Sequence, residues 1–282
     1  MIVKRKNIIV KGKHQKPILT DVFYNDDKNL KPVIIFCHGY KGFKDWGAWN
    51  MVAETFANAG FFFVKFNFSH NGGTVEQPID FPDLEAFGAN NYIKELDDLE
   101  TIIDWITSSG FEFRNVIVSS NISLIGHSRG GGIATIKASE DSRIAKLITW
   151  ASVSDYKKRF PKEDALEHWK QARVLYIENS RTKQQMPHYF QFYTSFIENE
   201  ERLTISRAVI KNQVPHLIIH GTNDPTVTVQ EGKDLHSWGS NTKLFLVEGA
   251  DHIFGAKHPW IKNTLPKHLK KIVQKTITFI SL

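Results

Sequence analysis

The 282-residue sequence contains a single cysteine, Cys37, so no intrachain disulfide can form. This absence excludes the class of small secreted proteins that depend on disulfides, and it is typical of a reducing compartment. No uncharged apolar stretch is long enough to span a membrane. Residues 1–7 are basic but lack the apolar segment that follows in a secretory signal. We therefore expect a soluble, cytoplasmic protein.

Several motifs of cofactor and metal sites are also missing. The sequence has no Gly-x-Gly-x-x-Gly motif, and the three glycines at 130–132 lack the lysine of a phosphate-binding loop. Among possible metal ligands, Asp251, His252 and His258 form the best group. In this group no second ligand lies four residues from the first on the same helix, as it does in many metal sites. The prediction is that the protein uses no cofactor and no metal ion.

The positive charge of the chain raises the question of nucleic acid, since the formal net charge is +6. Lysines and arginines are spread along the sequence and are densest in the tail, within a helix predicted at 264–281. A solvated helical face accounts for this pattern better than a phosphate-binding stripe does. We predict a small-molecule substrate as the partner, with no binding of nucleic acid or membranes; a homodimer is left open.

Apolar runs alternate with helical patterns along most of the chain. Strands are predicted at 8–10, 18–24, 32–37, 61–68, 122–126, 144–151, 214–221 and 243–247. Helices are predicted at 48–59, 93–106, 133–138, 229–238 and 264–281. This alternation predicts an α/β fold with a mostly parallel, doubly wound sheet flanked by helices. Ligand sites are then expected at the carboxyl ends of the strands.

The alternation is interrupted at residues 155–210, which are charged, aromatic and poor in strand-like runs. We interpret this segment as a small helical cap inserted after the sixth strand. Residues 1–154 and 211–282 then form the core domain. The aromatic residues of the cap could line a substrate pocket or anchor the cap to the core, and the second role is favoured for any single residue.

Ser128 lies in a Gly-x-Ser-x-Gly pattern between an apolar strand and a segment that can continue as a helix. Strand, Gly-x-Ser-x-Gly and helix together are the context of a nucleophile elbow. The turn is too sharp for large flanking side chains, which explains the glycines on both sides. A serine hydroxyl becomes a good nucleophile only when a base removes its proton and an acid orients that base.

Two later strand ends supply an acid and a base in the order that this fold requires. Asp224 follows the strand at 214–221, and His252 follows the strand at 243–247. Asp155, after the preceding strand, is a competing acid. Asp251 would point away from its neighbour in an extended loop and is interpreted as structural. The predicted catalytic triad is Ser128, Asp224 and His252.

The tetrahedral intermediate of an acyl transfer also needs two hydrogen-bond donors for its oxyanion. We predict that these are the backbone N–H groups of Arg129, directly after the serine, and of Tyr40, in the loop after the strand at 32–37. His127, inside the elbow, is interpreted as a packing residue. His38 and His220 end strands next to glycines and are interpreted as residues that brace loops.

With these residues in place, the chain resembles the α/β-hydrolase superfamily over nearly its whole length. His38-Gly39 resembles the oxyanion-loop motif, and residues 126–130 resemble the elbow. Residues 66–72 resemble the Asp-x-Arg-Gly-x-Gly strand and turn, although Asn67 stands where an aspartate is frequent. The resemblance implies the fold, the triad and a small cap after the sixth strand.

Within the superfamily, residues 38–46 and 81–87 most resemble the dienelactone-hydrolase-like and serine-aminopeptidase-like group, which includes bacterial cinnamoyl (feruloyl) esterases. The leading hypothesis is a carboxylic ester hydrolase acting on short-chain or aromatic acyl groups, with hydroxycinnamoyl esters as candidates. A small-peptide aminopeptidase or amidase would use the same triad. It would need acidic residues near the pocket, and the cap offers Glu163, Asp164, Glu167 and Glu178. A non-catalytic ligand-binding protein on this fold is a third hypothesis.

Overall fold

A computed structural model describes residues 1–282 as ten strands and ten α-helices. The strands are β1 (Ile2–Lys11), β2 (Pro17–Asn25), β3 (Lys31–Cys37), β4 (Phe62–Phe66), β5 (Ile117–His127), β6 (Ile144–Trp150), β7 (Val174–Glu178), β8 (Gln185–Tyr189), β9 (His216–Gly221) and β10 (Thr242–Val247). The helices are α1 (Trp49–Asn58), α2 (Leu84–Gly88), α3 (Tyr92–Thr107), α4 (Arg129–Glu140), α5 (Glu163–Ala172), α6 (Gln191–Glu198), α7 (Glu200–Leu203), α8 (Ile205–Lys211), α9 (Val229–Trp238) and α10 (Lys267–Ile280).

Eight strands form one sheet in the order β1-β2-β4-β3-β5-β6-β9-β10. β2 pairs antiparallel with β1 and β4, and all the other neighbours pair parallel. The central strands are apolar on both faces because helices cover both faces of the sheet. One hydrophobic cluster lies under α1 and α10, and a second lies under α3, α4, α8 and α9. The predicted α/β class with a mostly parallel sheet is confirmed.

All five predicted helices are present, and the eight predicted strands form the large sheet. The main difference in the core is β1, which starts at Ile2 rather than at Ile8. Ile2 and Val3 are half-buried, but residues 4–7 are exposed and polar, so the sequence shows no apolar alternation before Ile8. None of the ten helices combines the length and apolar character needed to cross a membrane.

The chain between β6 and β9, residues 151–215, is called the insertion below. It contains four helices, α5 to α8, and the antiparallel hairpin β7-β8, in which Val174 pairs with Tyr189. The prediction of a mostly helical cap did not include this hairpin. β8 contains Pro187 and has no strand pattern, whereas β7 begins with the apolar run at 174–177, a strand signal that the helical interpretation did not use. The division into domains at residues 154/155 and 210/211 remains a prediction.

Aromatic side chains attach the insertion to the core. The ring of Tyr156 stacks on that of Tyr92 in α3, with ring centroids 3.8 Å apart. Phe160 packs against Phe196 at 5.0 Å, and both belong to the cluster that also contains the apolar face of α3. Trp169 is 2 % exposed, and its Nε1–H donates to the main-chain oxygen of His188 at 2.8 Å. The insertion therefore shares the hydrophobic core of the sheet.

A buried group of four charges, called the charge cluster below, fixes the loop that follows β3. Lys65 Nζ lies 2.6 Å from Asp21 and 2.8 Å from Asp45, while Lys44 Nζ lies 2.9 Å and 2.6 Å from the same two carboxylates. Burial alone would raise the pKa of Asp45, but the two ammonium groups hold it well below its usual range. The loop at 38–46 is thereby tied to β2 and β4.

Candidate active site

The sharp turn between β5 and α4 carries Ser128. Its backbone has φ 56° and ψ −121°, a left-handed conformation that costs energy for a residue with a side chain. The turn closes because both flanking glycines lack a Cβ. A Cβ on Gly126 would collide with the carbonyl of Gly130, and a Cβ on Gly130 would collide with the carbonyl of His38. The two glycines are thus steric requirements of the turn and of its close packing against the end of β3.

The structure brings Ser128, His252 and Asp224 together in one hydrogen-bonded line. Ser128 Oγ lies 2.9 Å from His252 Nε2, and His252 Nδ1 lies 2.7 Å from Asp224 Oδ2. Each residue follows a strand of the parallel part of the sheet, namely β5, β10 and β9. Parallel strands end at the same edge, so the sheet itself gathers residues that lie 124 and 28 positions apart.

Asp224 is held as a carboxylate by its surroundings. Its Oδ1 accepts the backbone N–H groups of Thr226 at 2.8 Å and Val227 at 2.9 Å. Burial would raise its pKa, but His220 at 3.6 Å, His252 and the Val227 N–H together hold the pKa well below its usual range. A charged Asp224 accepts the Nδ1–H of His252, so Nε2 is left to accept the Ser128 hydroxyl proton.

The two residues predicted to supply the oxyanion donors both line the space beside Ser128. The backbone N–H of Tyr40 makes no hydrogen bond within the protein. Gly39 brings this loop close to the elbow, because a Cβ placed on it would lie only 3.0 Å from the Cβ of Ser128. Arg129 opens helix α4 directly after the serine. The role of both N–H groups stays a prediction.

The other candidates bond to nearby backbone instead of joining the triad. Asp155 Oδ1, the competing acid, accepts the N–H of Lys157 at 2.7 Å in a local turn. Asp251 Oδ1 accepts the N–H of Gly255 at 2.8 Å. His38 Nδ1–H donates to the oxygen of its neighbour Gly39 at 2.9 Å. These side chains brace the loops around the site.

No group of three or more His, Cys, Asp or Glu side chains lies close enough together to hold a metal ion. His258, the third member of the metal-ligand group considered in the sequence, accepts the N–H of Gly47 through Nδ1 at 2.8 Å. Cys37 is fully buried in β3, and burial raises the pKa of its thiol far above the usual range. The thiol is therefore a packing group.

A cavity of about 480 Å³ opens beside Ser128, and ten of the sixteen residues that line it are hydrophobic. The insertion supplies much of this wall, including Phe160, Trp169 and Phe192. The charged side chains in the lining are Arg129 and Arg159, with no carboxylate among them. Such a cavity fits an uncharged, apolar or aromatic group of small-molecule size.

Three side chains around the site were not identified from the sequence. Tyr156 Oη donates to the main-chain oxygen of Arg129 at 2.8 Å, and His188 Nε2 lies 2.7 Å from Tyr40 Oη. Glu95 pairs with the Arg129 guanidinium at 2.9 Å. Glu95 lies on the apolar face of the predicted helix 93–106, and a carboxylate at such a position indicates a buried charged partner. The other two contacts join distant parts of the chain, and no local pattern reports them.

The model of the BD-FAE family matches residues 20–238, well over half of the chain. A search of curated proteins finds no match. Solved structures similar to this one include Est1E from Butyrivibrio proteoclasticus with bound ferulic acid, at 17% identity and a TM-score of 0.74. The match covers 97% of this chain and 98% of Est1E.

Two further solved structures show the same fold. A dienelactone hydrolase from Anabaena variabilis is 14% identical with a TM-score of 0.63, over 99% of this chain and 97% of that one. The esterase domain of a Rhodothermus marinus protein is 16% identical with a TM-score of 0.59, over 90% and 91% of the two chains. These structures share the α/β-hydrolase fold, as the sequence motifs predicted.

Proposed function

This chain belongs to the BD-FAE family of the α/β-hydrolase superfamily, and we propose that it is a serine hydrolase that cleaves carboxylic esters. The observation that carries the proposal is the line of two hydrogen bonds, 2.7 Å and 2.9 Å long, from Asp224 through His252 to Ser128. This line ends beside an apolar cavity, where the acyl or alcohol part of an ester would be shielded from water.

In the proposed acylation step, Ser128 Oγ attacks the ester carbonyl carbon while His252 Nε2 takes the hydroxyl proton. Asp224 keeps the imidazole in the tautomer with Nδ1–H and stabilises the imidazolium that forms. The N–H groups of Tyr40 and Arg129 donate to the oxyanion of the tetrahedral intermediate. When the intermediate collapses, the bond to the alcohol oxygen breaks and His252 gives its proton to that oxygen.

Deacylation repeats the same steps with water. His252 Nε2 removes a proton from a water molecule, whose oxygen attacks the acyl carbon, and the same two N–H groups hold the second oxyanion. The bond to Ser128 Oγ then breaks and His252 returns the proton to the serine. The products are a carboxylic acid and the alcohol, and no cofactor enters either step.

The lining of the cavity favours a short-chain or aromatic acyl group. Phe160, Trp169 and Phe192 offer aromatic faces, and Tyr40 and His188 offer polar atoms at the same wall. A volume of about 480 Å³ is suited to a group of one or two rings. Ferulic acid, the molecule bound to the similar protein Est1E, is of this kind. Hydroxycinnamoyl esters are therefore the proposed aromatic substrates.

An aminopeptidase is disfavoured because no carboxylate lines the cavity to hold a substrate ammonium group. The four acidic residues considered for that role, Glu163, Asp164, Glu167 and Glu178, are all exposed to solvent. Two arginines lie in the lining instead, and each is paired with a carboxylate outside the lining, Arg129 with Glu95 and Arg159 with Glu231. These carboxylates are therefore already engaged. A purely ligand-binding protein would have no need of a hydrogen-bonded Ser-His-Asp line. Neither alternative has an observation in its favour.

The test uses purified protein with p-nitrophenyl acetate and a fluorophosphonate probe. We expect hydrolysis by the wild type and covalent labelling of one serine, and Ser128→Ala should abolish both. Ser139→Ala, in the helix that follows the elbow, is the matched control and should retain both. The proposal would be contradicted if labelling survived in Ser128→Ala. It would also be contradicted if the wild type neither hydrolysed esters nor reacted with the probe.

A substrate panel tests the acyl preference. Short alkyl, long alkyl and hydroxycinnamoyl esters are compared with an aminoacyl nitroanilide at equal concentration. We expect the highest kcat/KM for the short alkyl or hydroxycinnamoyl esters and little turnover of the nitroanilide. A clear preference for the nitroanilide would support the amidase hypothesis instead.

A further inference from the structure

Both residues proposed to hold the oxyanion are in direct contact with side chains of the insertion. Tyr40 Oη lies 2.7 Å from His188 Nε2, and the main-chain oxygen of Arg129 accepts the Tyr156 hydroxyl at 2.8 Å. Phe192 lies over the Arg129 guanidinium at 4.9 Å. The insertion thus contacts both halves of the proposed oxyanion hole.

His188 is well placed to fix Tyr40. It lies on β8, it is 8 % exposed, and its main-chain oxygen accepts the indole N–H of Trp169 at 2.8 Å. Its ring packs edge-on against Phe87 at 5.4 Å. Burial, followed by the charges of Arg129 and Lys41, lowers the pKa of His188 to about 3. A neutral, buried imidazole therefore holds the Tyr40 hydroxyl and with it the loop that carries the Tyr40 N–H.

Arg129 is in contact with four neighbouring side chains. Its carbonyl accepts the hydroxyl of Tyr156, which is 1 % exposed and stacks on Tyr92. Its guanidinium lies 4.6 Å from the Tyr92 ring on one side and 4.9 Å from Phe192 on another. Glu95 pairs with the same group at 2.9 Å. Since the N–H and the carbonyl of Arg129 share one Cα, these contacts also restrain the direction of its N–H.

Room for the Tyr156 hydroxyl is provided by a glycine of the elbow. A Cβ on Gly132 would collide with the Tyr156 oxygen. The third glycine of Gly130-Gly131-Gly132 is not required by the turn at Ser128, yet it lets an insertion residue reach the start of α4. The absence of a side chain at Gly132 thus leaves the space in which the insertion contacts the start of α4.

We propose that the insertion sets the geometry of the oxyanion hole, with His188 and Tyr156 as positioning residues. This inference rests on the proposed function. Oxyanion donors act only within about 2.7–3.1 Å of the oxygen that becomes negative. A displacement of about 1 Å at such a site lowers the rate by about 100-fold. Tyr156 and His188 also line the cavity, so an acyl group that fills it contacts both side chains. The fit of the acyl group therefore affects the rate of the chemical step as well as binding.

The test measures kcat and KM of Tyr156→Phe and His188→Ala with p-nitrophenyl acetate, whose small acyl group leaves most of the cavity unfilled. We expect kcat to fall by about 10-fold in each variant, with KM within about twofold of the wild type. The inhibition constant of a trifluoromethyl ketone, which forms a tetrahedral adduct with the serine, should rise by a similar factor.

Matched variants separate positioning from general damage. Tyr193→Phe and His168→Ala change the same residue types in the insertion, but neither side chain hydrogen-bonds to the elbow or to the Tyr40 loop. Both should leave kcat unchanged. His188→Gln keeps a hydrogen-bonding group toward Tyr40 and should restore part of the loss. Tyr40→Phe combined with His188→Ala should lose no more than either single variant, because both remove the same bond.

Melting curves show which variants are folded. If His188→Ala unfolds, Tyr156→Phe, which removes only one oxygen atom, still tests the inference. A folded Tyr156→Phe with wild-type kcat and wild-type inhibitor affinity would overturn the inference while leaving the proposed function intact. Additive losses in the Tyr40 and His188 double variant would also overturn it. A wild type without esterase activity would instead overturn the proposed function on which the inference rests.

Discussion

The ring of His127 lies against the ring of His252, with the two centroids 4.9 Å apart, and its Nε2–H donates to the main-chain oxygen of His252 at 2.9 Å. Its other face contacts Trp49 at 5.6 Å. Burial lowers the pKa of His127 to about 3, so the ring stays neutral beside the proposed base. The residue before the serine therefore holds the backbone that carries the proposed base.

We expect His127→Phe to lower kcat for p-nitrophenyl acetate by about 10-fold, because the ring volume remains while the donor to His252 is lost. His127→Gln retains an N–H and should recover part of that loss. Steady-state kinetics of both variants, with melting temperatures to establish folding, checks this. Equal kcat in wild type and a folded His127→Phe would show that the bond does not position the base.

Asp224→Asn should lower kcat by about 10³- to 10⁴-fold, since a neutral amide no longer fixes the Nδ1–H tautomer or stabilises the imidazolium. Fluorophosphonate labelling of Ser128 should slow in parallel. Asp155→Asn removes the competing acid and is expected to leave both rates near the wild type. If Asp155→Asn were the more damaging change, the assignment of the acid would be wrong.

Gly39→Ala should reduce kcat by at least about 10-fold, because its methyl group would lie 3.0 Å from Ser128 Cβ and 3.3 Å from His127 Nδ1. The loop carrying the Tyr40 N–H must move away to relieve these contacts. Gly110→Ala is the control, as nothing lies within 4 Å of the added carbon. Rates are measured with p-nitrophenyl acetate, and an unchanged kcat in Gly39→Ala would argue against a close-fitting oxyanion loop.

A buried carboxyl away from the triad should make stability depend on pH. Asp98 Oδ2 accepts the N–H of Ser69 at 2.7 Å, while Oδ1 is buried without a partner. Burial raises its pKa from 3.8 to about 7. Between these values the unfolded chain has lost the proton and the folded protein keeps it. The contribution of Asp98 to the free energy of unfolding therefore falls as the pH rises from about 4 to about 7.

Asp98→Asn removes that titration and keeps an oxygen for the Ser69 N–H. We expect the wild type to lose stability relative to Asp98→Asn as the pH rises across this window. Urea unfolding of both proteins at pH 4, 5, 6 and 7 checks the sign. Burial lowers the pKa of the neighbouring His70 to about 4. His70 is present in both proteins, so its titration cancels when the two unfolding free energies are subtracted. A difference that does not change with pH would contradict the assignment.

The central strands and the elbow were predictable because their constraints are local. β3 carries an uninterrupted apolar run at 33–37, and β4 is apolar except for Lys65, as expected for strands covered on both faces. Gly126 is required by the turn itself, while Gly130 is required because the end of β3 packs closely against it. A parallel sheet brings the ends of the later strands, which Asp224 and His252 follow, to the same edge as Ser128. Such features leave a signature within a few residues of the chain.

The insertion was harder to interpret because its structure depends on the rest of the molecule. β7 and β8 are only five residues each, with Pro187 in the second, so neither has the alternation of a half-buried strand. His188 meets Tyr40 across 148 positions of sequence. Contacts of this kind are fixed by packing against the sheet, and periodicity within the segment carries no trace of them.

The charge cluster of Lys44, Lys65, Asp21 and Asp45 bears on how a substrate enters. Swinging the loop at 38–46 outward would separate Lys44 from Asp21, now 2.9 Å apart, and Asp45 from Lys65, now 2.8 Å apart. Asp21 and Lys65 would remain paired with each other at 2.6 Å. Separating buried opposite charges is unfavourable, so these contacts hold the loop against the sheet. The insertion contacts the same loop and the elbow through hydrogen bonds of uncharged groups, Tyr40 with His188 and the main-chain oxygen of Arg129 with Tyr156, and no ion pair joins them. A change in the shape of the cavity on substrate entry would therefore separate fewer charges on the side of the insertion than on the side of the loop.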